Sequence, residues 1–234
     1  MIASLARRAL SAATLLAFLS ACSGASDNVD APSTGVETIR NLGRIFDPTD
    51  EGQAIPTRAQ LAASGLQGTA LVLVIEDLGV GAALTPELAN GRTITWRTAD
   101  GVTVSTRAGV VAATRGLGQD VLEAITAPLE AALAAGSAAD YRRGLTVLDG
   151  SNRPSVVVMT CNLRPGPGRS ASGIVLRSWI ETCGLSRPEG GVAAPGRIRN
   201  EYLVGTGPIA GRMVVSRQWV GPYTGFITLN RYDI

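Results

Sequence analysis

The chain has 234 residues, 45% of them apolar and 17% charged, enough to bury one substantial core. It holds no histidine, and all 21 of its basic residues are arginine. Those absences exclude Ser-His-Asp and Cys-His catalysis, His-containing zinc sites, Walker-type phosphate loops and Schiff-base or kinase-type lysines.

Residues 1–21 read as a signal peptide. Arg7 and Arg8 supply a charged start, and Ala9 to Ala21 an apolar run too short to span a bilayer, which takes ~20 residues. Leu19-Ser20-Ala21-Cys22 resembles the bacterial lipobox, which ends in the cysteine that is lipidated before cleavage. Each buried methylene contributes ~0.8 kcal/mol, so the acyl chains of a bacterial lipoprotein are expected to tether Cys22 to the membrane permanently. Serine rather than aspartate at position 23 points to the outer membrane, on its periplasmic face. Removing Arg7 and Arg8, with no acid in residues 1–21, leaves the mature chain with as many basic as acidic groups. That balance gives no electrostatic footprint for nucleic acid, and no charge-based hold on an anionic bilayer. Residues 22–35 are small, polar and Pro-containing, and form a tether reaching ~20 Å. Residues 36–234 are expected to form a single β-rich domain.

Within that domain Val36 to Phe46 reads as weakly helical, and Thr57 as the N-cap of a helical turn running to Gly65. Ala70 to Ile75 is an apolar run of strand length, expected to be covered on both faces. From Arg92 to Arg115, Ile94 and Trp96 alternate with threonines and Arg97, and Val102 and Val104 with Thr103 and Ser105. Asp100-Gly101 and Ala108-Gly109 mark turns, which together predict a three-stranded meander. Gly116-Leu117-Gly118 lacks the third glycine of a dinucleotide fingerprint and reads as a tight corner. Gln119 to Ala135 places Val121, Leu122, Ile125, Leu129, Ala132 and Leu133 on one helical face. Asp120 sits in its first turn, and Pro128 interrupts it. Further strands are expected over 145–148, 155–161, 173–182, 197–204, 212–220 and 226–230. The predicted fold is mainly β: an antiparallel meander sheet, or a partly open barrel or sandwich, with one interrupted amphipathic helix. With Cys22 lipidated, Cys161 and Cys183 are expected to pair as a structural disulfide, closing a loop worth ~3 kcal/mol in the chain-entropy model.

The run from Trp96 to Thr103, the hairpin to Gly109, the stretch Thr114 to Asp120, Asn200, Tyr202, the segment Ser216-Arg217-Gln218-Trp219-Val220-Gly221-Pro222 and Gly225 together resemble the YjbF/GfcB family of group 4 capsule polysaccharide lipoproteins. The likeness runs from about Val36 to the C-terminus. That family has a Tyr-Trp pair followed by aspartate where this chain reads Tyr202-Leu203-Val204-Gly205, so no role of that tryptophan and acid transfers. The resemblance implies a β-rich outer-membrane lipoprotein serving capsule or exopolysaccharide production or secretion, with an outer-membrane β-barrel export protein as its partner. It supplies no catalytic residues and no cofactor.

Trp96, Trp219 and Tyr223 are candidate sugar-stacking rings, since amphipathic aromatics offer an apolar face and a polar tip. Core packing is the competing role of the tryptophans, and the domain's shortage of other large side chains favours it. Arg217 is a candidate contact for a glycan or a partner, against a plain role as a solvated strand residue. Carboxylates are the remaining catalytic groups, and Glu76, Asp77, Asp149, Glu181 and Glu201 are the candidates; no spacing pairs them. A non-enzymatic accessory lipoprotein is therefore the first reading. A carboxylate-dependent glycan hydrolase or lyase is the second, and a general outer-membrane assembly or structural lipoprotein the third.

Overall fold

Period-two alternation runs through most of this chain, and the sheet it builds is antiparallel throughout. The computed structural model describes residues 57–148, 151, 153–171, 174–185 and 196–233. The signal peptide, Cys22, the tether, the Val36–Phe46 stretch and Asp149 lie outside the described residues.

The first element is α1 (Arg58–Ala63), opened by a reciprocal cap. The Thr57 hydroxyl accepts from the Gln60 amide at 3.3 Å, while the Gln60 side chain accepts from the Thr57 amide at 2.7 Å. Leu61 of this helix, 1% exposed, packs on Val72 and Val74. That contact explains why β1 (Thr69–Ile75) is apolar at every position from Ala70 onward. Leu71, Leu73 and Ile75 face the main core, and the alternate residues face α1.

From β1 the chain runs outward through β2 (Val80–Asn90), β3 (Thr93–Arg97), β4 (Thr103–Arg107) and β5 (Val110–Arg115), each paired with its predecessor. It then starts again at the far end of the sheet with β6 (Val121–Ala124). The return passes through β7 (Ala139–Leu148), β8 (Pro154–Pro165), β10 (Ile174–Leu185), β11 (Ile198–Gly205), β12 (Met213–Gly221) and β13 (Gly225–Asp233), which pairs with β1. The short β9 (Arg169–Ala171) pairs only with β10. Twelve strands thus make a nearly closed, barrel-like ring. The seam between β5 and β6 is bridged by side chains in place of a ladder. The Thr114 hydroxyl accepts from the Val121 amide at 2.9 Å, and the Arg115 guanidinium donates to the Val121 carbonyl at 3.1 Å. Asp120 secures the corner by accepting from Thr114 Oγ1, Gly116 N and Leu117 N at 2.8, 2.9 and 3.1 Å. Gly116 and Gly118 both take left-handed backbone there, at φ 88° and 93°.

The predicted helix over Gln119–Ala135 is corrected by these contacts. Its first half is strand β6, because Val121, Glu123 and Ala124 find ladder partners in Val147, Thr146 and Leu145. Its second half is α2 (Ala127–Ala135), with Pro128 in the first turn, where a missing amide costs nothing, and Gly136 in left-handed backbone at the end. The expected meander of β3, β4 and β5 is present, and the later strands appear at the expected places, mostly longer. β2 and β9 carried no recognised signal. Cys161 and Cys183 sit directly opposite one another on β8 and β10, joined as a disulfide with Cα atoms 4.0 Å apart. No helix among the described residues is long and apolar enough to cross a membrane.

Candidate functional site

One face of β10 carries a ladder of unlike side chains. Register with β11 places Arg177 opposite Val204, Trp179 opposite Tyr202, Glu181 opposite Asn200 and Cys183 opposite Ile198, all on the inward side. Arg177 is exposed at the end of the ring, whereas Trp179, Glu181 and Cys183 are buried. α2 lays Leu129 and Ala132 into a cluster with Trp179, Tyr202, Leu163 and Met213, and so covers part of that end.

Below it, Glu181 is the centre of a sealed polar network. Its Oε1 accepts from Tyr141 Oη and Arg143 Nε, each at 2.8 Å. Its Oε2 accepts from Arg143 Nη2 at 2.7 Å, Asn200 Nδ2 at 2.7 Å and Tyr202 Oη at 2.9 Å. Asn200 then accepts the Trp219 amide at 2.8 Å, tying the network to β12. Burial by itself would raise the Glu181 carboxyl, but the adjacent Arg143 charge and the converging donors hold it below its ordinary 4.5. Burial and the Glu181 charge push the Tyr141 and Tyr202 hydroxyls above 10. A carboxylate so fully occupied, in a residue with no exposed surface, is a structural group. The Cys161 and Cys183 sulfurs lie within 4.8 Å of its carboxylate; both are tied in the disulfide, so the trio offers a metal no thiolate.

Beside α2 the covered end leaves a groove. A cavity of about 430 Å³ is lined by Arg177 and Trp179 of β10, Glu130 and Leu133 of α2, Arg92 and Met213, with the 205–211 segment closing its far side. A second cavity of about 150 Å³ shares Arg92, Ala108, Gly211 and Met213 with it and continues past Trp96, Arg212 and Arg231. Glu130, 3% exposed, accepts from Thr126 Oγ1 at 2.6 Å and pairs with Arg107 at 3.0 Å and Arg92 at 3.4 Å. Arg212 pairs with Asp233, and Arg231 lies 3.8 Å from the same carboxylate. Arg177 has no ion-pair partner among the described residues. Its guanidinium occupies the space beside Gly136, where a Cβ would lie 2.7 Å from Nη1, next to the electronegative C-terminal end of α2.

The sequence candidates are scattered. Trp96 and Trp219 are 2% and 3% exposed, so neither ring offers a free face for sugar stacking. Trp96 points inward with its indole N–H on Thr106 Oγ1 at 2.9 Å, and Trp219 lies in the main core. Tyr223 is 49% exposed on the β12–β13 turn, outside both cavities. Arg217 is no freely solvated strand residue. It makes a forked pair with Glu76, Nε at 2.9 and 3.0 Å and Nη2 at 2.7 Å, and lies 3.7 Å from the Phe226 ring centroid. The carboxylates do not converge either. Glu181 and Glu201 point to opposite faces of the sheet, and Glu201 accepts from Arg169 and Ser178 at 3.2 and 3.3 Å. Asp77 packs against the Gly225 backbone, and Glu76 also accepts from Thr228 Oγ1 at 2.8 Å. The groove residues Arg92, Glu130, Arg177 and Trp179 were missed. Trp179 and Arg177, two apart on a strand, were the available signal.

A crystal structure of the hypothetical lipoprotein YmcC from Escherichia coli K12 has the same fold, with a TM-score of 0.57 at 19% identity over 87% of this chain and 98% of that one. No curated protein matches the chain. The family model described as group 4 capsule polysaccharide lipoprotein GfcB, YjbF matches residues 50–231, which takes in every described strand but the end of β13. This chain belongs to the YjbF family of capsule polysaccharide lipoproteins.

Proposed function

We propose that the protein is a non-catalytic accessory to capsule or exopolysaccharide production or secretion. In this reading acyl chains on Cys22 hold it at the periplasmic face of the outer membrane, and its β body docks on a β-barrel export protein of the same pathway. Family membership over residues 50–231 carries the pathway. The state of the acids supports a passive body. Glycoside cleavage needs two free carboxyls ~5–10 Å apart. Glu76 and Glu201 are engaged by arginine, and Glu181 is sealed on the other face of the sheet.

Deletion and complementation test the reading. Loss of the gene is expected to reduce surface polysaccharide, with restoration by the wild-type lipoprotein and none by Cys22→Ala. Palmitate labelling is expected to mark the wild type alone. Unchanged surface polysaccharide in the deletion strain would refute the pathway, and an unlabelled wild-type protein would refute the anchor.

A further inference from the structure

The chain as a whole is close to neutral, at 21 basic against 19 acidic residues. The two joined cavities are not. Their walls carry four guanidiniums, from Arg92, Arg177, Arg212 and Arg231, against the single carboxylate of Glu130. Glu130 is already shared by Arg92 and Arg107, and Asp233 engages Arg212. Arg231 lies 3.8 Å from the same Asp233 carboxylate, so of the four only Arg177, which is exposed, has no ion-pair partner among the described residues. A planar guanidinium at the edge of a cleft presents parallel donors that match an oxyanion. The wall beside it is apolar, made by the half-buried Leu133 and Val204 over the buried Trp179 and Met213. The Thr206 side is polar, its hydroxyl donating to the Val175 carbonyl at 2.7 Å and keeping its acceptor lone pairs. At about 430 Å³ the larger cavity falls within the ~300–1,000 Å³ range of small-ligand sites. An oxyanion on a body with alternating hydroxyl and C–H surfaces suits these walls better than a bare anion or an apolar ligand.

We infer that this groove binds an anionic sugar unit, with the sugar's charged substituent on Arg177 and its ring against the half-buried wall of Leu133 and Val204. The inference rests on the capsule reading above and deepens it, by making the body itself a contact for acidic glycan.

Full-length lipoprotein in a neutral detergent, titrated calorimetrically with oligogalacturonate, tests it. Binding is expected that weakens with added salt and falls about tenfold or more in Arg177→Glu, with Arg177→Gln intermediate. Arg177→Gln is expected to melt like the parent, because Arg177 makes no ion pair to lose, and Arg177→Glu slightly lower, because its charge meets the carbonyl end of α2. The carboxyl-reduced, neutral oligosaccharide is expected not to bind. Equal affinity for the neutral oligosaccharide, equal affinity for inorganic phosphate, no binding of oligogalacturonate, or an Arg177→Glu variant that binds as the parent does would each overturn the inference. Its failure is separable from that of the capsule reading. A deletion strain lacking polysaccharide but fully restored by Arg177→Glu would discard the groove and keep the pathway. A deletion strain with normal polysaccharide would discard the pathway whatever the titration shows.

Discussion

Glu181 receives hydrogen bonds from four side chains, so its removal strands a buried guanidinium among donors with nothing to meet. Glu181→Ala is expected to cost about 3–5 kcal/mol, a drop of about 6–20 °C in melting temperature. Replacing both charges, as Glu181→Leu with Arg143→Met, is expected to recover much of that loss, since an apolar pair removes the orphaned charge. The network also sets a pH profile. Glu181 titrates below 4.5 when folded, so the folded state binds its proton less readily than the unfolded chain does. Its stabilisation is complete above about pH 4.5 and lost as the pH falls below that value. Tyr141 and Tyr202 titrate above 10 when folded, so their contribution is complete below about pH 10 and lost as the pH climbs past it. Melting temperatures measured across pH are expected to show a plateau between those limits, with the acid limb shallower in Glu181→Gln.

At the scale of single elements, alternation and turn residues were readable wherever local preference and the final ladder agreed. The three strands around Asp100-Gly101 and Ala108-Gly109 are the clearest case, and Ala108 itself takes left-handed backbone at φ 50°. β2 was not readable, because only its first half is buried, and a bulge between Pro86 and Leu88 breaks its alternation. Val121–Ala124 suits a helix as well as a strand; pairing with β7 decided between them. The Cys161–Cys183 bridge staples β8 to β10 at a directly opposed pair. Replacing both cysteines with alanine is expected to remove about 3 kcal/mol, read as a lower denaturant midpoint with a somewhat steeper slope, because the unlinked denatured chain exposes more surface.

For the whole molecule, closure of the ring depends on a seam made by side chains instead of a ladder. Asp120→Ala leaves Thr114 Oγ1 and the Gly116 and Leu117 amides without their acceptor. A loss of about 2 kcal/mol is expected, with faster amide exchange at residues 114–121 than elsewhere in the sheet. An exchange pattern spread evenly over all the strands would contradict a weak seam at that point.

Read by itself, the amino-acid order determined that the body is a β meander, where most of its turns fall, which two cysteines pair, and which family it resembles. These are local or compositional properties: a two-residue period, a glycine that accepts positive φ, a count of thiols. The tertiary structure alone decided which face of each strand looks inward. Alternation and a shortage of other large side chains favoured Trp96 and Trp219 as core, and only the closed sheet, which leaves them 2% and 3% exposed, placed them there. It also decided who meets whom through space: Arg217 with Glu76 across 141 residues, Tyr141 and Tyr202 with Glu181, and Arg92 with Glu130 and Arg177 along one groove. Charges so far apart in the chain carry no mutual signal until the ring closes and brings them within reach.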